Sequence, residues 1–375
     1  CYIYPLYLSP LRKIPGPPVN NFILGHFASF LNQAVGDAHD YLAKKYGGIA
    51  RYHGLFNKPH ISISDPKLVQ QVLVNHSYDY PRYFVNRNET KKFFGSGILI
   101  AEGDSHKRQR KMMNPSFAFA NVKMLLALLI CRFNYEFNST TSDSELAKAY
   151  RTLFGGNPSP LFVAFVNILP FIRKLRIIHN NQFYDSIKII NNISEKLIAE
   201  QKNASVRGKD LLFLLVKENE SLPVYEQLTH EELVSQVVIL LAAGHETTST
   251  ALSWALYFLA KYPDIQDCLR KEVLGVFTDR NHFPTIDEID QLKYLEWYAI
   301  DDFYIRYPSS PFNLGAGPKN CLGMKMAHLE LKSILSVIIR NFEFRLVEGF
   351  TFKKKLSGFA KPIPGIDLFV SKVDY

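Results

Sequence analysis

The sequence predicts a mainly α fold with a small β portion, and three features carry that prediction. A stretch of about 33 residues between Thr229 and Pro263 is almost uncharged after its first turn and reads as one long helix. Strand-like runs occur only near the two ends of the chain. Between them the apolar spacing is helical, broken at prolines and glycines. The 375 residues are 47% hydrophobic and 21% charged, which suits a buried core and excludes a disordered, collagen-like or coiled-coil chain. No fixed-period repeat or low-complexity tract is present.

In chain order, Cys1 to Ser9 are aromatic and apolar, Arg12-Lys13 follow, and then Pro15-Gly16-Pro17-Pro18. So short an apolar run cannot cross a bilayer core, which needs about 20 residues in a helix. It reads either as the last turns of a longer anchor with Arg12-Lys13 on the cytoplasmic side, or as an arm packed on the surface. The prolines cannot continue a helix and make a stiff hinge. The division is therefore an anchor remnant and hinge over 1–18 and a single domain over 19–375.

Ala34 to Tyr46 has helical apolar spacing and stops at Gly47-Gly48. Ile49 to Gly54 and Pro59 to Ser64 read as strands joined by a turn near Asn57. Asp65-Pro66 supplies an N-cap and a proline at the first helical position, opening a helix through Val74. The long helix, over about 230–262, opens on a capping box made by Thr229 and Glu232 and is stopped by Pro263. Its lack of charge predicts burial on all sides. Strand signal returns in Phe342 to Leu346 and Ile366 to Ser371.

The formal net charge of +9 gives a basic surface, either simply solvated or suited to an anionic membrane or an acidic protein partner. Four scattered cysteines, Cys1, Cys131, Cys268 and Cys321, do not make a disulfide scaffold and point to a reduced compartment.

Two segments carry chemistry. Ala243-Gly244-His245-Glu246-Thr247-Thr248 lies in the middle of the long helix. A zinc-protease His-Glu-x-x-His reading fails because Ser249 stands at the second ligand position. The small residues also fit a helix–helix packing notch. An ionised Glu246 inside such a helix needs a partner or water. The second segment is a cysteine loop over 312–323, glycine-rich from Leu314 and ending in Cys321 just before an apolar helix. Unpaired N–H groups at a helix start stabilise a thiolate, and Gly317 and Gly323 allow a flat ligand close to the backbone. Axial ligation of haem iron needs such a thiolate; a buried structural cysteine is the alternative. His106 and Arg110, spaced i, i+4, share one side of a helix that otherwise reads as an exposed basic face from Lys107 to Lys111.

Together these segments resemble the cytochrome P-450 family of haem–thiolate monooxygenases. Ala243 to Thr248 matches the family's Ala/Gly-Gly-x-Asp/Glu-Thr-Thr/Ser signature in full. Gly317, Cys321 and Gly323 match its Phe-x-x-Gly-x-Arg-x-Cys-x-Gly loop, and Arg110 matches the arginine of Trp-x-x-x-Arg, with His106 in the tryptophan place. The proline hinge resembles the microsomal branch. The resemblance implies a cytochrome P-450-like fold with one haem-binding domain, and haem b (iron protoporphyrin IX) ligated by Cys321. It further implies propionate contacts from Arg110, His106 and Lys319, room beside the oxygen site at Gly244, and proton relay by Thr247 and Glu246. Its implied partners are an NADPH-dependent flavoprotein reductase, an apolar small-molecule substrate and the cytosolic face of the endoplasmic reticulum membrane, and no nucleic acid.

Departures accompany the match. Leu314 stands in the loop's phenylalanine place, with Phe312 two residues earlier, and Lys319 stands where arginine is usual. The family's buried Glu-x-x-Arg pair is altered: Asp302 takes the glutamate place and Ile305 the arginine place, with Arg306 one residue out. Pro308 to Phe312 then passes almost directly into the cysteine loop, so an internal segment on the order of 60 residues is expected to be missing and the domain incomplete. The stretch after Arg110 is also short, passing abruptly from Met124–Phe133 to Asn134. Two rivals follow: a haem–thiolate isomerase, disfavoured by the intact Glu246-Thr247 pair, and a non-catalytic, haem-poor remnant.

Overall fold

Thr229 and Glu232 form the expected capping box, each accepting the other's backbone N–H, and they start the longest helix of the molecule. The computed structural model describes residues 8–82, 87–122, 181–203, 211–298 and 315–373, except 20, 22, 32, 34–35, 119–120, 278, 280–281, 283, 358 and 364. Residues 145, 148–149 and 152–153 are also described. The altered pair at Asp302, Ile305 and Arg306, Phe312 and Leu314 of the loop, and the abrupt passage near 124–134 lie outside the described residues.

The helices in chain order are α1 (Phe27–Leu31), α2 (Asp37–Tyr46), α3 (Pro66–Gln70), α4 (Arg87–Phe94) and α5 (Gly103–Met113). They continue with α6 (Asn181–Asn203), α7 (Leu211–Ser221), α8 (His230–Lys261), α9 (Pro263–Val276), α10 (Ile286–Ile289), α11 (Lys293–Trp297) and α12 (Met324–Asn341). The strands are β1 (Ile49–His53), β2 (Pro59–Ile63), β3 (Phe342–Leu346), β4 (Lys353–Ser357), β5 (Phe359–Ile363) and β6 (Leu368–Lys372). They pair antiparallel as β1–β2, β3–β6 and β4–β5, with Arg51 opposite Ile61 and Phe344 opposite Val370. The mainly α fold with a small β portion is what the sequence predicts. Asp65 caps α3 through its side chain, which accepts the Leu68 N–H, and Pro66 fills the first position. One π turn, Gln71–Asn75, carries that helix on past Val74.

Helix α8 organises the interior because both halves are core. Val234, Val237, Val238 and Ala242 pack with Met112, Met113 and Phe117 near α5, Ile190 and Ile198 of α6, and Leu215 of α7. Trp254, Ala255, Phe258 and Leu259 pack with Leu269 and Val273 of α9 and Leu335 and Ile339 of α12. At about 25 cal/mol per Å² of apolar surface removed from water, such burial dominates the stability of the helix. Between the two clusters, burial on all sides fails: Ala243, Gly244 and Ser249 are exposed. Ala243 and Gly244 have little side chain to bury, so lack of charge does not by itself mean burial on every side.

Helix α5 is fastened to the start of α8. Arg108 pairs with Glu232, and Gln109 accepts from Gln236 and donates towards Glu232. The face expected to be exposed and basic is therefore divided. His106 and Gln109 are buried, Lys107 and Lys111 are exposed, and Arg108 is half-buried against Glu232.

Candidate active site

The cysteine loop is shaped by two glycines with positive φ, Gly315 at 73° and Gly317 at 68°, which an L side chain adopts at a cost. A Cβ on Gly317 would lie 2.3 Å from the Leu73 carbonyl oxygen. Packing against the Gln71–Asn75 turn thus accounts for glycine there without any ligand. Gly323 differs. A Cβ there would meet only Phe117 Cε1 at 3.9 Å, and its φ of −85° is ordinary. Gly323 caps α12, and Leu322 beside it packs against the core cluster that holds Phe117 and Ala242. That packing seats the cysteine loop on the same core cluster that the first half of α8 helps to build.

Cys321 has an exposed outer surface. Burial of the thiol on its inner side pushes its pKa up, opposed by a hydrogen bond from the Gly323 N–H and by the positive charge of Arg110. The expected helix-start stabilisation of the thiolate is therefore present but outweighed in the protein alone. A metal cation at the sulfur reverses that balance, because coordination favours the deprotonated thiol.

Arg110 grips the residue before the cysteine, with Nη1 and Nη2 donating to the Asn320 carbonyl and Oδ1 at 2.5 and 2.6 Å and Nε donating to Asn114 Oδ1. His106 is fully buried one turn earlier. Its Nδ1 lies 3.1 Å from the Tyr78 hydroxyl and its Nε2 is buried without a partner. Desolvation, then the charges of Arg82 and Arg110, lower its pKa to about 4, so the ring is neutral. Lys319 Nζ pairs with Glu102 Oε2 at 2.5 Å and also reaches the Tyr80 carbonyl at 3.3 Å. Lys319, expected to contact a propionate, is paired in this structure with the protein's own carboxylate. Arg82 donates to the carbonyls of Ile98, Leu99 and Lys319.

Sequence reasoning missed Arg82, Glu102, Tyr78 and Asn320. Glu102 and Asn320 stand beside residues already singled out, but Tyr78 and Arg82 sit in a segment with no motif.

On α8, a Cβ added to Gly244 would meet nothing within 4 Å. The Thr247 hydroxyl donates to the Ala243 carbonyl at 2.6 Å, and the Thr248 hydroxyl donates to Glu330 Oε2 of α12 at 3.4 Å. Burial raises the Glu330 pKa, with the Thr248 bond opposing it. Glu246 belongs to α8, and its side chain lies outside the described residues.

The sequence pattern of the cytochrome P-450 family matches residues 15–132, 124–299 and 305–370. The chain belongs to the cytochrome P-450 family. The first two matched segments overlap at 124–132, and the last begins at Ile305. Cytochrome P-450 monooxygenase 205 of Postia placenta is 28% identical, covering 80% of this chain and 65% of its own length. Cytochrome P-450 monooxygenase FUM15 of Gibberella moniliformis is 27% identical, covering 75% of this chain and 55% of its own length. The chain thus spans under two thirds of these relatives.

A P-450 of this family takes haem, and the residues present fit that group. Three cations, Arg82, Arg110 and Lys319, and one carboxylate, Glu102, surround a neutral His106. The surplus of two positive charges matches the two propionates of haem. The buried, unpartnered Nε2 of His106 can donate to one of them once it carries the proton. Gly244 and Gly323 leave the backbone uncovered on the helix and the loop respectively.

Proposed function

We propose that this P-450 is a haem–thiolate monooxygenase that inserts one atom of dioxygen into an apolar organic substrate, with electrons from an NADPH-dependent flavoprotein reductase. The observation that carries this reading is Cys321, held by the Gly323 N–H and facing the charge of Arg110, in a loop whose Leu322 packs against the core cluster that α8 shares with its neighbours. Bound haem supplies a thiolate-ligated iron that activates dioxygen, one oxygen atom entering the substrate and the other leaving as water. Arg110 fixes the backbone before the sulfur, so the thiolate cannot swing away from its helix start. Thr247, its hydroxyl proton committed to the Ala243 carbonyl, presents lone pairs that can accept from water and hold it in place. Glu246, next to it in sequence, is the group proposed to exchange protons with that water. Gly244 keeps the helix narrow where substrate and oxygen must fit.

The exposed Lys107 and Lys111 flank the Arg110–Asn320 contact and suit an acidic reductase surface. Residues 1–18 are proposed to lead from an endoplasmic reticulum anchor on the cytosolic side. Among the described residues no helix is long and apolar enough to cross a membrane. A haem-poor remnant is the second reading, favoured by Asp302 and Ile305 standing in the places of the family's Glu-x-x-Arg pair. The reduced carbon-monoxide difference spectrum of the purified protein separates them. A band at about 450 nm supports the thiolate site, and its absence with haem supplied supports the remnant. Product formation with reductase and NADPH then distinguishes a monooxygenase from a haem–thiolate isomerase.

A further inference from the structure

The geometry points to Glu102 as a positioning residue that sets the charge of the haem-carboxylate cluster and holds Lys319 away from direct propionate contact. This rests on the haem reading above. Glu102 is the last residue before α5, the helix that carries His106 and Arg110. Its two carboxylate oxygens tie that helix to two distant segments. Oε1 accepts the backbone N–H of Arg82 at 2.9 Å, and Oε2 accepts from Lys319 of the cysteine loop. Both members of the ion pair are largely shielded, with side-chain exposures of 10% for Lys319 and 16% for Glu102. Water therefore screens the pair far less than an exposed one.

One carboxylate thus bridges the segment holding Arg82, the α5 helix and the cysteine loop. It also removes one positive charge from a cluster of three cations. With Glu102 ionised, the surplus equals the two propionate charges; without it, one positive charge of the cluster remains uncompensated. Uncompensated positive charge favours the reduced, more electron-rich state. A charge held near a redox centre through intervening residues tunes its potential without touching it. Lys319, committed to Glu102 and the Tyr80 carbonyl, becomes a strut between the loop and the Arg82 segment.

The test is a charge cycle on the haem-loaded protein, reading the midpoint potential of the iron. Glu102→Gln preserves shape and removes the negative charge, so the potential moves positive. Lys319→Gln removes the opposing charge and moves it negative. The double variant, Glu102→Gln with Lys319→Gln, returns it close to the wild-type value. A purely structural role predicts changes in stability or haem content without opposite signs in the two single variants. Haem-loaded single variants with unmoved potentials, or with shifts of the same sign, overturn the assignment. Should Glu102→Gln lose haem, recovery of haem in the double variant supports the charge argument, and loss in both refutes it. Failure of the wild type to take up haem refutes the haem reading itself, and this assignment with it, before any variant is compared.

Discussion

The middle of α8 and the cluster around Glu102 are built on opposite physics. Between Glu232 and Lys261 the helix has one carboxylate, Glu246, in its sequence, and its two halves are fixed by apolar burial. Its candidate site arises by omission, where Ala243 and Gly244 provide too little side chain to pack. The cluster instead brings three cations and a carboxylate together from the Arg82 segment, α5 and the cysteine loop. Its cations repel one another, so part of its interaction energy is realised only when a dianionic partner arrives. The helix chiefly supports folding, whereas the cluster chiefly prepares binding, and the two can be perturbed separately.

The largest effect tests the point where they meet. Cys321→Ala is expected to abolish haem retention while leaving the helical circular-dichroism signal intact, because Leu322 still packs. Equal haem content in mutant and wild type, measured as pyridine haemochromogen per chain, would show that the sulfur is not the ligand. Leu259→Ala addresses the helix alone. Leu259 is fully buried among α9 and α12 residues, so a loss of about 2–5 kcal/mol in denaturant unfolding is expected. The haem spectrum of the folded fraction should not change. A spectral shift without a stability loss would contradict the separation.

His106 gives the matching test on the cluster. Its folded pKa of about 4 lies below the ordinary 6.5, so between those values the unfolded chain binds the extra proton. The stabilisation is complete above about pH 6.5 and is lost as pH falls towards about 4. At about 1.4 kcal/mol per pKa unit, the whole effect is at most about 3 kcal/mol. Replacing the ring by a group that does not titrate, His106→Gln, should flatten the stability-against-pH curve of the apoprotein in that window. An unchanged slope would mean that His106 is not the group responsible. Thr247→Ala, on the helix side, should leave haem bound and raise oxygen consumed per product formed in the reductase-driven assay. Unaltered coupling would remove Thr247 from the relay.

How much of this was legible follows from the same contrast. The capping box at Thr229, the Asp65-Pro66 helix start and the β1–β2 hairpin depend on residues a few positions apart, so spacing alone locates them. The signature on α8 and the cysteine loop are contiguous, and they were readable as a family resemblance. Glu102 and Lys319 are 217 positions apart, and Arg82 and Lys319 are 237 apart, so no local pattern announces the pairs. The Glu102 partner of Lys319 was not legible because it is supplied by tertiary folding. Burial of α8 was overstated for a related reason: lack of charge shows what a helix can bury, but not where a neighbour is present. Gly317 shows the limit of reading a glycine from its motif, since the Leu73 carbonyl explains it without any ligand.

The smallest predicted effect lies at the start of α8, where the two regions are coupled. The Thr229 hydroxyl accepts the Glu232 N–H, and Glu232 returns a bond to the Thr229 N–H while pairing with Arg108 of α5. Thr229→Ala removes one half of this box and should cost about 1 kcal/mol, with Thr229→Ser close to neutral. Because Glu232 keeps its contact with Arg108, the position of α5 should persist, and with it the potential of the bound iron. Denaturant midpoints and redox titration on the same samples measure both quantities. If the cap variant moves the iron potential, the start of α8 positions the charged cluster and the two regions are not separable.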